Sequence, residues 1–453
     1  MPIASSSSPL ALPRSLSRVA AQPVRSAETR HRPSLSRTQQ LREAVLLAFC
    51  DPLPPEYGRL WRLTKKEWQT MLYWLDTSGL ALYFFDRVIE LGQCKMLPPF
   101  VFSRLQQNVE DNTARMDLML SELIEVHQEF ESAGLSYALL KGFSLCPISV
   151  PKPQLRSQLD LDFLIAEQSI PRARQILEAR GYHLHAVSGR SWEFKVNEGQ
   201  AGSINDLYKV TPQRTLELHV EMPASGQPSL LARSNKRRFE GVDVPALSPV
   251  DLFLGQGLHL YKHVASEFFR LAHLIEFRRH VIARYDDSAF WTELQELAKH
   301  DSRASFGLGV VTCLISQEMG DFAPEALTSW TADRLPAAAR LWISMYGPRV
   351  VLASFPGSKL YLLLQKELAA GSQGHGSLQR QLIPRRLPSA IAQASKGESL
   401  LMLVHRHRKQ YQYVLFRLRF HVAESLHYLY ESKRWRRHIK ELYALGGAPE
   451  RVE

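Results

Sequence analysis

The sequence predicts an α+β protein, a small mixed β-sheet set inside an otherwise helical chain. Three observations carry that expectation. Residues 41–134 place apolar side chains at helical spacing and finish on Gly134, the residue type that ends helices. Between 135 and 222 the texture changes to short runs that read as strands: "LSYALLKG", "LDLDFLI", "SWEFKV", "NDLYKV" and "TLELHVEM". After "VPALSPVDL" the helical spacing returns.

Taken in order, residues 1–40 are rich in Ser, Pro and Arg, with Glu28 as the one acidic residue. They bury too little apolar surface to order themselves and read as a disordered tail, although a transit peptide has a similar composition. The helical region 41–134 opens at "LREAVLLAF". The α/β core, 135–222, contains one helix, "SIPRARQILEARGYH", with Ser169 as N-cap, Pro171 just inside and Gly181 past its end. A second helical region, 223–367, completes the cleft. In it "SNKRRFEG" (234–241) reads as a loop or hairpin tip, ahead of "SPVDLFLGQGLHLYKHVA", "FFRLAHLIEFRRHVI" and "AFWTELQELAKH". Residues 368–399 read as a Gly/Ser/Pro-rich linker or long loop, and 400–453 as basic C-terminal helices.

The chain has 453 residues, 45% apolar and 22% charged, which suits a globular protein of more than one domain. Its formal charge of +11 leans toward an anionic partner: nucleotide, nucleic acid or acidic lipid. Cys50, Cys94, Cys146 and Cys313 lie far apart, with no disulfide or CxxC spacing, which fits a reducing cytoplasm. No apolar run reaches the roughly 20 residues of a transmembrane helix.

The informative stretch is "LDLDFLI". Side chains alternate across a strand, so Asp160 and Asp162 share one face while Leu159, Leu161 and Phe163 take the other. Like charges side by side repel, and a divalent cation would offset that cost. In "TLELHVEM", Glu217, His219 and Glu221 face away from Leu216, Leu218 and Val220. If the two strands are neighbours, a third carboxylate meets the pair, and three carboxylates can hold two Mg²⁺ ions about 3.5–4 Å apart. Upstream, Lys141-Gly142 ends a strand at a turn, where glycine admits close approach of a phosphate and lysine offers it a charge.

His259, Lys262 and His263 share one face of a helix. HxxxH can be half of a zinc site, but there is no HExxH glutamate and no cysteine pair nearby. For His259 alone a polar helix face is the plainer reading. Arg270 on the following helix is a further candidate. The C-terminal stretches "VHRHRKQYQYVLFRLRFH" and "ESKRWRRHIKELY" mix basic and aromatic residues, a pattern that suits a phosphate backbone or an anionic lipid surface. A solvated helix face over an apolar core explains the same spacing.

The order "LKG … R…DLDFLI … LELHVE … SPVDLFLGQGLHLYKH … FRLAHLIEF" resembles the bacterial uncharacterised nucleotidyltransferases of the DNA polymerase β-like superfamily. It is also similar to the nucleotidyltransferase toxins of abortive-infection systems. The resemblance spans about 41–310 and is most specific over 139–280. It implies that Lys141 and Gly142 hold the NTP phosphates with Arg156 nearby, and that Asp160, Asp162 and Glu217 are the catalytic metal ligands. It also implies that His219, Lys262 and His263 line the nucleotide site. The chain departs from the family pattern at three places: Lys-Gly stands for Gly-Ser in the turn, Glu217 for Asp, and Val220 for Trp. Mg²⁺ is strict about geometry, so the longer Glu217 side chain leaves Glu221 as a substitute ligand.

The expected activity is Mg²⁺- or Mn²⁺-dependent transfer of a nucleoside monophosphate from an NTP to an acceptor, with release of pyrophosphate. The acceptor class stays open among RNA, protein and a small biosynthetic intermediate. The competing expectations are a toxin acting on tRNA or protein, a catalytically silent nucleotide- or RNA-binding module, and a scaffold on an anionic membrane surface.

Overall fold

The structure, a computed structural model, describes residues 35–197, 206–211, 213–222, 229–267, 269–299, 301–368, 382 and 399–444. The expected tail up to residue 34 lies outside the described residues, as does the expected linker apart from 368, 382 and 399.

Helix α1 (Arg37–Leu47) starts ahead of the expected position because Ser36 and Gln39 form a capping box. Thr64 and Glu67 form another at the head of α2 (Lys65–Ser78), which Gly79 ends at φ 77°. Then come α3 (Ala81–Glu90) and the 34-residue α4 (Pro99–Ser132).

Among the described residues seven strands follow in one mixed sheet: β1 (Tyr137–Leu139), β2 (Asp160–Ala166), β3 (His183–Ser188), β4 (Ser191–Val196), β5 (Arg214–Glu221), β6 (Asn235–Phe239) and β7 (Val242–Ala246). Their order across the sheet is β3-β4-β5-β2-β1-β7-β6. β2 runs antiparallel to β1 and parallel to β5. From β2 the chain reaches its parallel neighbour β5 through helix α5 (Ile170–Ala179), β3 and β4.

One face of the sheet packs Leu161, Phe163, Ile165, Leu216 and Leu218 against Leu123, Val126 and Phe130 of α4 and Ile176 and Leu177 of α5. On the other face Leu164 joins the large core of the helical body. That body includes α6 (Pro249–Val264), α7 (Leu271–Ala283), α8 (Ser288–Ala298), α9 (Ser302–Met319), α10 (Glu325–Thr328), α11 (Ala337–Val351) and α12 (Tyr361–Leu368). The sheet therefore has an apolar back and a second face turned toward the helices.

Three local expectations differ from the structure. The described part of "NDLYKV" is not a strand, because tertiary contacts take its backbone. Arg115 of α4 donates to the Leu207 carbonyl at 2.5 Å and to the Lys209 carbonyl at 2.6 and 3.0 Å, while the buried Tyr208 hydroxyl donates to Asp76 at 3.0 Å. "SNKRRFEG" is a strand and turn of the β6–β7 hairpin, with Glu240 and Gly241 both at positive φ. Ser169 precedes α5 without capping it, and its hydroxyl accepts instead from the Ser136 N–H at 3.4 Å.

The expected C-terminal helices are one 45-residue helix, Leu400–Ala444. Its second half buries Tyr428, Trp435 and Ile439, and Glu431 accepts from Arg349 at 2.5 Å. Its first half exposes Leu400, Leu401, Val404 and Tyr411 beside the exposed Arg408 and Lys409. Among the described residues no helix is long and apolar enough to cross a membrane.

Candidate functional site

The parallel pairing of β2 with β5 sets Asp162 opposite Glu217 and Asp160 opposite Thr215. Since both strands turn their apolar residues to α4 and α5, the carboxylates emerge together on the other face. One oxygen of Asp162, one of Glu217 and one nitrogen of His219 lie within 4.8 Å of one another. The His219 Nε2 stands 3.1 Å from Asp162 Oδ1 and 3.3 Å from Glu217 Oε2, bridging the two strands. Ser191 of β4 donates to Glu217 Oε2 at 3.2 Å.

The Lys141 Nζ lies 3.1 Å from Asp162 Oδ1, so two cationic groups meet one buried carboxylate. Burial works against the charge on Asp162, but the hydrogen bond from His219 and the Lys141 ammonium outweigh it and lower its pKa. Glu217 is also held low, chiefly by its bond to His219. Burial would lower His219, yet its bonds to Asp162 and Glu217 prevail and raise it to about 9. Asp160, on the same face at the start of β2, moves the other way. Burial and the Asp162 charge raise it to about 6.

The turn is held by Gln158. Gly142 has φ 70°, and a Cβ there would lie 2.6 Å from the Gln158 amide, so both conformation and space call for glycine. Gln158 donates to the Asp160 carbonyl at 2.8 Å and accepts from Arg156 at 3.2 Å. Arg156 also donates to Glu276 of α7 at 3.2 Å, and Glu276 accepts from the Tyr83 hydroxyl at 2.9 Å. The guanidinium expected to meet phosphate is thus tied into a buried chain linking α7 to the turn and to β2. Sequence reading did not single out Gln158 or Glu276, and nothing in local spacing marks them.

The remaining candidates separate. Glu221 sits at the far end of β5, where its carboxylate accepts from Leu230 N at 2.5 Å, Leu231 N at 3.2 Å and the Ser229 hydroxyl at 2.8 Å. It holds a turn and does not join the cluster. Lys262 is exposed on α6. His263 meets His259 and, unforeseen from sequence, His273 of α7. Arg270, half-buried, makes no side-chain hydrogen bond or ion pair among the described residues, and its pKa is lowered by burial and by Arg156.

The chain belongs to the family described as uncharacterised nucleotidyltransferases, whose profile matches residues 64–313. Among solved structures it is similar to the antibiotic-resistance factor ANT(2'')-Ia, at 10% identity and TM-score 0.28 over 41% of this chain and 98% of that one. It is also similar to an antigenic nucleotidyltransferase-like protein from Paracoccidioides brasiliensis, at 15% identity and TM-score 0.29 over 48% of this chain and 98% of that one. No curated protein matches the chain.

Proposed function

We propose that the chain transfers a nucleoside monophosphate from an NTP to an acceptor, releasing pyrophosphate, in an Mg²⁺- or Mn²⁺-dependent reaction at the β2–β5 face. The observation that carries this reading is the pairing of Asp162 with Glu217 on the polar side of a sheet whose other side is apolar. Asp162 and Glu217, grouped with His219, offer oxygen donors that fit a hard divalent cation, and Asp160 is the further carboxylate on that face at the head of β2. When bound, such ions would neutralise the phosphates and polarise the attacking and leaving oxygens.

The chain's own residues then have distinct tasks. Lys141 pairs with Asp162 in this state and can pass its ammonium to a phosphate oxygen once the carboxylate is otherwise neutralised. Arg270 adds a cation near Asp160. Arg156 is a positioning residue acting through Gln158 on the turn and on β2. His219 holds the Asp162 and Glu217 carboxylates in register. Glu217, its pKa held low, suits ligation better than removal of a proton from the acceptor.

The test is label transfer from each NTP with Mg²⁺ or Mn²⁺, using cell extract as acceptor. Asp162→Asn should lower the rate by about 1,000-fold, the equivalent of several kcal/mol of lost charge stabilisation. The labelled species would identify the acceptor class. Nucleotide binding without turnover, unchanged by Asp162→Asn, would overturn the reading in favour of a silent binding module. The Lys141 and His219 pairing that already neutralises Asp162 favours that second reading.

A further inference from the structure

His259 and His263 lie one turn apart on α6, and the return of the chain along α7 brings His273 against them. One nitrogen from each ring lies within 4.8 Å of the other two, and the Nε2 atoms of His259 and His263 are 3.0 Å apart. The ring centroids stand 4.5, 5.0 and 5.3 Å from one another. His273 is only 8% exposed, and its Nδ1 is buried with no hydrogen-bond partner among the described residues. A buried imidazole nitrogen without a partner needs a reason.

We propose that His259, His263 and His273 form a binding site for a transition-metal dication such as Zn²⁺, separate from the carboxylates of the sheet. Tetrahedral zinc with bonds of 2.0–2.1 Å requires nitrogens about 3.3 Å apart. The His259–His263 pair at 3.0 Å is near that spacing, and the His273 nitrogen, within 4.8 Å of both, has to close in on them. Three imidazoles suit Zn²⁺, Ni²⁺ or Cu²⁺ and not Mg²⁺. The ligating form is neutral imidazole, and His259 is kept so. Burial first, then His263, Lys141, Arg156 and Lys262, bring it down to about 3. Burial, Arg156 and Arg270 act likewise on His273. These cations oppose a bare dication and favour one carrying an anion, hydroxide or phosphate, at the fourth position left open by three protein ligands. The HxxxH pair lacked a third ligand in the sequence, and the fold supplies it ten positions on.

The site can be tested without any activity. Full-length protein free of a polyhistidine tag, stripped with EDTA, should bind Zn²⁺ in competition with a chromophoric chelator. His273→Gln, and His259→Gln with His263→Gln, should weaken that binding at least about 100-fold, beyond the 10–100-fold of second-shell changes. Asp162→Asn removes no imidazole and should change it far less than the histidine variants do, which separates this site from the one proposed for transfer. X-ray absorption of the zinc-loaded native chain should show three imidazole nitrogens at about 2.0–2.1 Å, a readout independent of whether the variants fold. Fewer than three imidazoles, unaltered affinity in the histidine variants, or affinity lost with Asp162→Asn would each overturn the proposal.

Discussion

The carboxylates of the sheet and the histidines of α6 and α7 answer to the same positive charges, Lys141 and Arg156, with opposite results. On the sheet, burial would neutralise Asp162, and Lys141 together with His219 keeps it ionised. On the helices, burial and the same lysine and arginine act together, and His259 stays neutral. At Asp162 and His259 the same lysine thus favours an ionised oxygen donor on one surface and a neutral nitrogen donor on the other. Donor chemistry here follows from whether nearby charge opposes burial or reinforces it.

The largest change to that balance should come from Glu276, the buried partner of Arg156. Glu276→Gln keeps the shape and an acceptor for Tyr83 but removes the ion-pair partner of a largely buried guanidinium. Loss of one member of such a pair costs about 3–5 kcal/mol, and urea denaturation should show a loss of that order. If the loss is below about 1 kcal/mol, Arg156 is solvated well enough that it does not set the charge of both clusters.

A smaller effect should appear with pH in the metal-free protein. Folding raises His219 from 6.5 to about 9, so the stability gained from its proton is complete below 6.5 and lost as pH climbs through 9. The upper limit is on the order of 3 kcal/mol. Asp160, raised from 3.8 to about 6, contributes with the same sign in a lower window, complete below 3.8 and lost as pH climbs through 6. Melting in EDTA should therefore show a decline between pH 6.5 and 9 that His219→Gln flattens. A variant as steep as the native chain would mean that His219 does not bridge the two carboxylates.

The two clusters were not equally legible in the sequence. Strand alternation alone places Asp160 with Asp162, and Glu217 with His219, each on one face. Their meeting depends on β2 pairing with β5 in parallel across α5, β3 and β4, which alternation does not encode. His273 was less legible still, because a helix crossing brings it to His259 and no local spacing marks it. Tertiary contacts also overrode local pattern at Tyr208, whose hydroxyl and neighbouring carbonyls belong to Asp76 and Arg115. The hairpin was hidden by its charged β6 and by Pro245 in β7, which has no N–H for a ladder.

The smallest expected effect divides β5 itself. Glu217 and Glu221 share a face by alternation, and sequence alone made either one eligible as the third carboxylate. The structure gives them different surroundings: His219 and Ser191 meet Glu217, while three donors of the 229–231 turn surround Glu221. Glu221→Gln keeps one carbonyl acceptor for that turn and loses only the charge assistance, worth about 1 kcal/mol of stability. Transfer activity should stay within about twofold, since nothing at the β2 cluster changes. Glu217→Gln should instead lower transfer steeply, because it removes a charge that offers ligation and leaves the strand pairing intact. If the two substitutions reduced transfer equally, the third carboxylate could not be assigned to Glu217, and the turn at 229–231 would have to open toward the site.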